Sequence, residues 1–156
     1  IDTLNNDSIL IAATNHHELL DPAIWRRFST VVTLEKPSLE ETGQLLQLFL
    51  KQYPNNILKN NKKINLLEKA FEGFSHSDIK TTISNSVKTA IIKGRKEITA
   101  CDILKEVYFH KYHGVENEED YIRFLLQYGA THKEIDECLD ISMRKVQEIS
   151  KKMKGE

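Results

Sequence analysis

The chain has 156 residues, 40% of them hydrophobic, enough to bury a core in one ordinary domain or two small ones. Its 22 Lys and Arg against 23 Asp and Glu leave a formal net charge of −1, so no global field draws it to nucleic acid or to a membrane, and any such attraction must be local. No apolar run approaches the roughly 20 residues that span a bilayer and no charged-then-apolar leader opens the chain.

The expectation is therefore a soluble, cytoplasmic protein without membrane partners. Cys101 and Cys138 are far apart in the sequence and lack Cys-x-x-Cys or Cys/His clustering, so they read as reduced thiols acting as small hydrophobes rather than a disulfide or a zinc site. No metal site is expected. His16 and His17 have no carboxylate or third histidine at a ligand spacing and read as surface residues. The chain opens at Ile1, already on the approach to a strand, and is read as a piece of something longer.

In chain order, Ser8 to Ala13 is a continuous apolar run of strand length, as expected of a strand covered on both faces, and Thr30 to Leu34, rich in β-branched residues, is a second candidate strand. Between them Asp21 and Pro22 predict an N-cap followed by proline in the first turn of a short helix to about Arg26. Ser38 and Glu41 have the spacing of a capping box and lead into Leu39, Leu45, Leu46, Leu48, Phe49 and Leu50, a helix that must end before Pro54. A short helix is expected from Ile64 to Phe71, stopped by Gly73. Ser75 or Ser77 then caps a longer one with Ile79, Ile83, Val87, Ala90 and Ile91 at spacings of three and four, ending at Gly94. Thr99 opens the next, with Ile103, Leu104 and Val107 on one face. After a His- and Gly-containing connector near 112 to 117, three short helices follow: Glu118 to Tyr128, Thr131 to Leu139 and Ser142 to Met153.

The stretch "ILIAATNHHELLDPAIWRRF" resembles AAA ATPases, in which a strand ending in Ala-Thr-Asn is followed by Leu-Asp-Pro-Ala and an arginine-rich turn. The resemblance implies that Asn15 is sensor 1, which positions the attacking water. It also implies that Arg26 and Arg27 reach the γ-phosphate bound by a neighbouring subunit. Hydrolysis spreads negative charge over phosphoryl oxygens, and a planar, permanently charged guanidinium suits that charge.

"GFSHSDI" at 73 to 79 resembles the segment opening the nucleotide-facing helix of the AAA lid, which implies nucleotide contact from Gly73, Ser75, His76 and Ser77. His76 and Ser77 stand where the family carries small residues. Asp78 reads as a helix-stabilising charge at the N-terminus. The likeness covers about residues 1 to 110. It implies ATP and Mg²⁺ in the full-length protein and a ring of like subunits, a hexamer by analogy. No Gly-x-x-x-x-Gly-Lys-Ser/Thr loop or acidic Walker B strand occurs in this chain, which alone should be inert.

"GATHKEIDECLDISMRKVQEI" resembles helix-turn-helix segments. Ile135, Leu139, Ile141, Val146 and Ile149 can form its small core, with Ser142 capping the last helix. Ser142 with the outward residues Arg144, Lys145, Gln147, Lys151 and Lys152 would form a weak phosphate footprint, or else a surface for docking a partner.

The fold expected is mainly α with a small β portion. It comprises the end of an αβα core with two strands over 1–36, a four-helix lid over 37–113 and a three-helix, helix-turn-helix-like bundle over 114–156. The function expected is ATP-driven remodelling of a protein or nucleic-acid client. The alternative is a non-enzymatic helical module that binds DNA or a partner.

Overall fold

The computed structural model describes residues 9–155 and divides after Glu35 into two compact units. In the first unit, a single 3-10 turn over His17–Leu19 precedes helix α1, Pro22–Trp25. The expected cap is present: the Asp21 side chain accepts the Ala23 N–H at 2.7 Å, and Pro22 takes a first-turn position where its missing N–H is not needed.

Neither expected strand forms. Ser8 lies outside the described residues, and residues 9–13 and 30–34 have no strand pairing; Ile9 (91% exposed), Ile11, Val31, Val32 and Leu34 (91%) face outward. A strand exists by virtue of a ladder to a neighbour, and among the described residues no edge lies beside either run. Among the described residues the one β-type contact is an isolated parallel bridge between Asn55 and Ile98, in the second unit.

The second unit is all helix: α2 (Leu39–Leu50), α3 (Asn61–Ala70), α4 (His76–Ile92), α5 (Ala100–Tyr112), α6 (Glu118–Gln127), α7 (His132–Leu139) and α8 (Met143–Gly155). Five of the seven starts follow from a side chain that satisfies orphan N–H groups of a first turn, whereas α8 shows no side-chain cap from Ser142. Ser38 with Glu41, Ser75 with Asp78 and Thr131 with Glu134 form reciprocal capping boxes, and Asn60 and Asn117 cap α3 and α6. Helix α2 stops at Leu50, and Asn55 collects the loose end: its amide donates to the carbonyls of Leu50 and Tyr53, while its oxygen accepts from the N–H groups of Ile57 and Leu58. Gly94, at φ 68°, ends α4; the Arg95 N–H bonds back to the Ala90 carbonyl and the Gly94 N–H to Ile91, a closure for which a left-handed residue is required.

One core runs through the unit. Helices α2, α3, α4 and α5 pack together, and α5 also receives α6 and α7, with α8 closing against α6 and α7. Leu46, Leu50, Leu67, Ile79, Ile83, Ile103, Leu104, Ile122, Leu125 and Ile135 are fully buried in it. The tail core contains Ile135, Val146 and Ile149 as expected, with Leu139 and Ile141 partly buried. Ile91, expected on the core face of α4, is instead 65% exposed, because the buried stripe runs through Ile79, Ile83, Ser86, Val87 and Ala90 and the next residue turns about 100° away. Leu39 and Leu48 of α2 are exposed for the same reason.

Two ion pairs within this unit are largely shielded from water. Lys63 on α3 meets Glu134 on α7 at 2.6 Å, and Arg95, in the loop before α5, meets Asp102.

Candidate functional site

In the first unit, Asn15 is exposed at the bend before the 3-10 turn, where Thr14 Oγ1 accepts the His16 N–H at 3.0 Å and the His16 ring stands 3.2 Å from Glu18. Arg26 closes α1 as its C-cap, donating its backbone N–H to the Ile24 carbonyl, and the Arg27 N–H reaches the same carbonyl at 3.1 Å. Both side chains are exposed, while Ile24, Trp25 and Phe28 are half-buried. The backbone of this turn is thus held by an aspartate cap at its start and by hydrogen bonds at its end. That gives two adjacent guanidinium groups a defined point of departure.

In the second unit, Gly73 takes φ 86°, a conformation that side-chain-bearing residues rarely adopt, and its carbonyl accepts a hydrogen bond from Lys36 Nζ at 2.7 Å. Ser75 is the N-cap of α4. Its hydroxyl oxygen accepts the Asp78 N–H at 3.1 Å and its O–H donates to Asp78 Oδ2 at 2.7 Å. The hydrogen bonds from the Ser75 hydroxyl and backbone N–H hold the Asp78 carboxyl below its ordinary value, despite some burial. The cap therefore satisfies the third N–H of the helix itself, and His76 and Ser77 remain exposed on the first turn. Behind them Phe74 is buried and packs at 4.3 Å, centroid to centroid, on the His110 ring and at 5.1 Å on Phe71, which anchors the turn to α5.

The tail residues are arranged differently from the open footprint that their spacing suggests. Ser142 lies just before α8 and its carbonyl accepts the Val146 N–H at 3.3 Å. Lys145 pairs with Glu118 and Lys152 with Glu119, at 3.2 Å, so two of the six expected contact residues turn toward the acidic first turn of α6. Arg144 pairs with Glu148 along α8 at 3.1 Å, and Gln147 and Lys151 are exposed.

Sequence reasoning passed over the buried charges. Cys101 and Cys138 are both in the core as expected of small hydrophobes, yet Cys138 Sγ lies 3.5 Å from Asp102 Oδ1. The hydrogen bond with Cys138 and burial push the Cys101 thiol up. The Thr99-x-x-Asp102 spacing is the one sequence signal for Asp102, whose Oδ2 accepts from the Thr99 N–H and hydroxyl; nothing local marks Arg95 as its partner.

No Gly-x-x-x-x-Gly-Lys-Ser/Thr loop occurs in the sequence. Among the described residues no group of three or more His, Cys, Asp or Glu could hold a metal ion, and no helix is long and apolar enough to cross a membrane.

The Ala-Thr-Asn step before Leu-Asp-Pro, the paired arginines and the Gly-Phe-Ser turn are the sequence features that resemble AAA ATPases. Comparison with known proteins agrees. The chain is 33% identical over 102 residues to an uncharacterized AAA family ATPase, y4kL, of Sinorhizobium fredii, covering 65% of this chain and 29% of that protein. It is 32% identical over 108 residues to the proteasome-activating nucleotidase of Saccharolobus solfataricus, covering 68% of this chain and 26% of that protein. It is 30% identical over 97 residues to the ATP-dependent zinc metalloprotease FtsH of Neorickettsia risticii, covering 61% of this chain and 15% of that protein. No family model and no solved structure matches. Over about two-thirds of its length, the chain belongs to the AAA family of ATPases, while spanning less than a third of these relatives.

Proposed function

We propose that this chain is the C-terminal portion of a AAA ATPase subunit that couples ATP hydrolysis to remodelling of a client. Asn15 orients the attacking water in its own subunit, and Arg26 and Arg27 reach the γ-phosphate held by the next subunit of a ring, a hexamer by family analogy. ATP and Mg²⁺ belong to the longer protein; they supply the phosphoryl group and the charge that offsets its transfer. The residues of this chain contribute orientation and positive charge only. Residues 37–113 act as the lid, with Gly73, Ser75, His76 and Ser77 at the edge facing the nucleotide, and 114–156 act as an appended helical module. A cytoplasmic setting follows from the same reading.

The observation that carries this is the relationship to AAA ATPases over about two-thirds of the chain. An arginine acting in trans accelerates related enzymes by about 10³ to 10⁵, or about 4 to 7 kcal/mol of barrier, far beyond what an exposed ion pair contributes. The test is to mix Arg26→Ala,Arg27→Ala subunits with intact ones in the full-length protein. Turnover should fall as altered subunits are added, each silencing the site of its neighbour; an unchanged rate rejects the role.

For the client, a polypeptide is favoured over nucleic acid. Lys145 and Lys152 are engaged by Glu118 and Glu119, so a duplex would have to displace carboxylates to reach them. A polypeptide client also suits the nucleotidase relative, which is named for activating a proteasome.

A further inference from the structure

A cavity of about 440 Å³ opens where the end of α5, the connector after it and α6 meet. Tyr108, Tyr112 and Phe124 line it, together with the carboxylates of Glu116 and Asp120. The rings present faces in several planes: Tyr112 and Phe124 lie at 86° with centroids 6.1 Å apart, and Tyr108 and Phe124 at 72° and 5.2 Å. Tyr112 is 55% exposed, so part of its ring is open to an incoming group.

Asn117 and Arg123 of this cavity are engaged, but a phenol hydroxyl and two carboxylates are not. Tyr108 is only 7% exposed, yet its hydroxyl makes no hydrogen bond among the described residues. Burial first, then Asp120, Tyr112 and Glu116, push this phenol up. Glu116 and Asp120 form no ion pair among the described residues, whereas Glu118 and Glu119 beside them hold Lys145, Lys152 and Arg123. Arg123, also at the cavity, is engaged by Glu119 one turn earlier, at 3.0 Å.

A cavity combining aromatic faces, two uncommitted carboxylates and a phenol oxygen selects a cation. A planar guanidinium fits best, because it stacks on a ring while its N–H groups meet carboxylates in the ring plane. Val115, in sequence between the lining residues Gly114 and Glu116, and Phe109, one helical turn before Tyr112 on α5, are each 40% exposed, apolar surface that a polypeptide would cover and a small free cation would not. The negative sign excludes a phosphate backbone. We propose that this cavity receives an arginine side chain of a polypeptide partner, with Tyr112 stacking on the guanidinium and Glu116 and Asp120 accepting its hydrogen bonds. The site is independent of the nucleotide roles given to Asn15 and the arginines of α1.

The test is titration of the ¹⁵N-labelled chain with capped Gly-Arg-Gly peptide, followed by amide shifts. Saturable shifts at Gly114, Asn117 and Asp120 are expected. The same peptide carrying neutral citrulline should bind about fivefold more weakly or worse, as should the arginine peptide on Asp120→Asn or Tyr112→Ala. Glu116, Asp120 and Tyr112 are all exposed, so these variants should keep the helical circular dichroism of the parent. Equal binding of the citrulline peptide, or binding untouched by both substitutions, overturns the site. Methylguanidinium binding as tightly as the peptide overturns the polypeptide partner.

Discussion

Lys63 on α3 and Glu134 on α7 are 71 residues apart in the sequence and 2.6 Å apart in the fold, Nζ to Oε1. The same carboxylate does two jobs, for its other oxygen accepts the Thr131 N–H at 2.8 Å and so caps α7. A helix start and a tie between the two ends of the helical unit therefore share one side chain.

Removing one partner of a shielded pair leaves the other charged and poorly solvated. Glu134→Gln should lower stability by about 1 to 3 kcal/mol, and Lys63→Met by less, because methionine restores apolar packing. Urea unfolding of both singles and the double variant measures the coupling. A coupling below about 0.5 kcal/mol shows that the pair does not tie α3 to α7.

The start of α4 should be sensitive to acid. Asp78 is held below its ordinary value by hydrogen bonds from Ser75, so its charge favours the fold above its unfolded pKa of about 4, and this contribution is lost as pH falls through the lower folded value. Between about pH 4 and pH 2 the parent should therefore lose stability more steeply than Asp78→Asn. Ser75→Ala should cost about 1 kcal/mol near neutrality. Parallel thermal melts across this range check both; identical slopes would rule out the cap as the source.

The Tyr121 hydroxyl is buried without a hydrogen-bond partner among the described residues, and burial pushes its titration well above the ordinary phenol value. Tyr121→Phe removes an unsatisfied polar atom and keeps the ring, which packs 4.6 Å from Tyr108. Stability should be unchanged or raised by up to about 1 kcal/mol. A loss of more than about 1 kcal/mol in urea unfolding would show that this oxygen is satisfied in solution.

In the full-length protein, Asn15→Ala should slow hydrolysis of bound ATP in subunits of the same type, and its defect should not be relieved by neighbours that retain Asn15. Arg26→Ala should instead be relieved at sites whose neighbours are intact, with a full effect of about 10³-fold or more when no subunit has it. Mixing Asn15→Ala subunits with Arg26→Ala subunits separates the two: single-turnover activity above that of either variant alone is expected, and no rise would remove the division into cis and trans roles.

Duplex DNA should bind weakly if at all, since Lys145 and Lys152 are committed to Glu118 and Glu119. Fluorescence anisotropy at 50 and 200 mM salt is the measurement. Affinity that is tight at the lower salt and drops by about 10³-fold at the higher would mean six or more phosphate contacts and would restore a nucleic-acid client.

Local chemistry alone determined where the helices begin and end: Ser38 with Glu41, Ser75 with Asp78, Thr131, Asp21 before Pro22, and Gly94 act within a few residues of themselves, so their spacing is enough. The Ala-Thr-Asn step, the paired arginines and the Gly-Phe-Ser turn were likewise readable as letters in order, and so was the kinship they signal. Tertiary structure alone decided what depends on distant partners. Residues 9–13 and 30–34 have strand composition but no strand pairing among the described residues, Lys145 and Lys152 find carboxylates of α6, and Glu134 finds Lys63. Hydrogen-bond ladders and ion pairs form between groups that folding brings together, and periodicity along one segment carries no record of what will lie across from it.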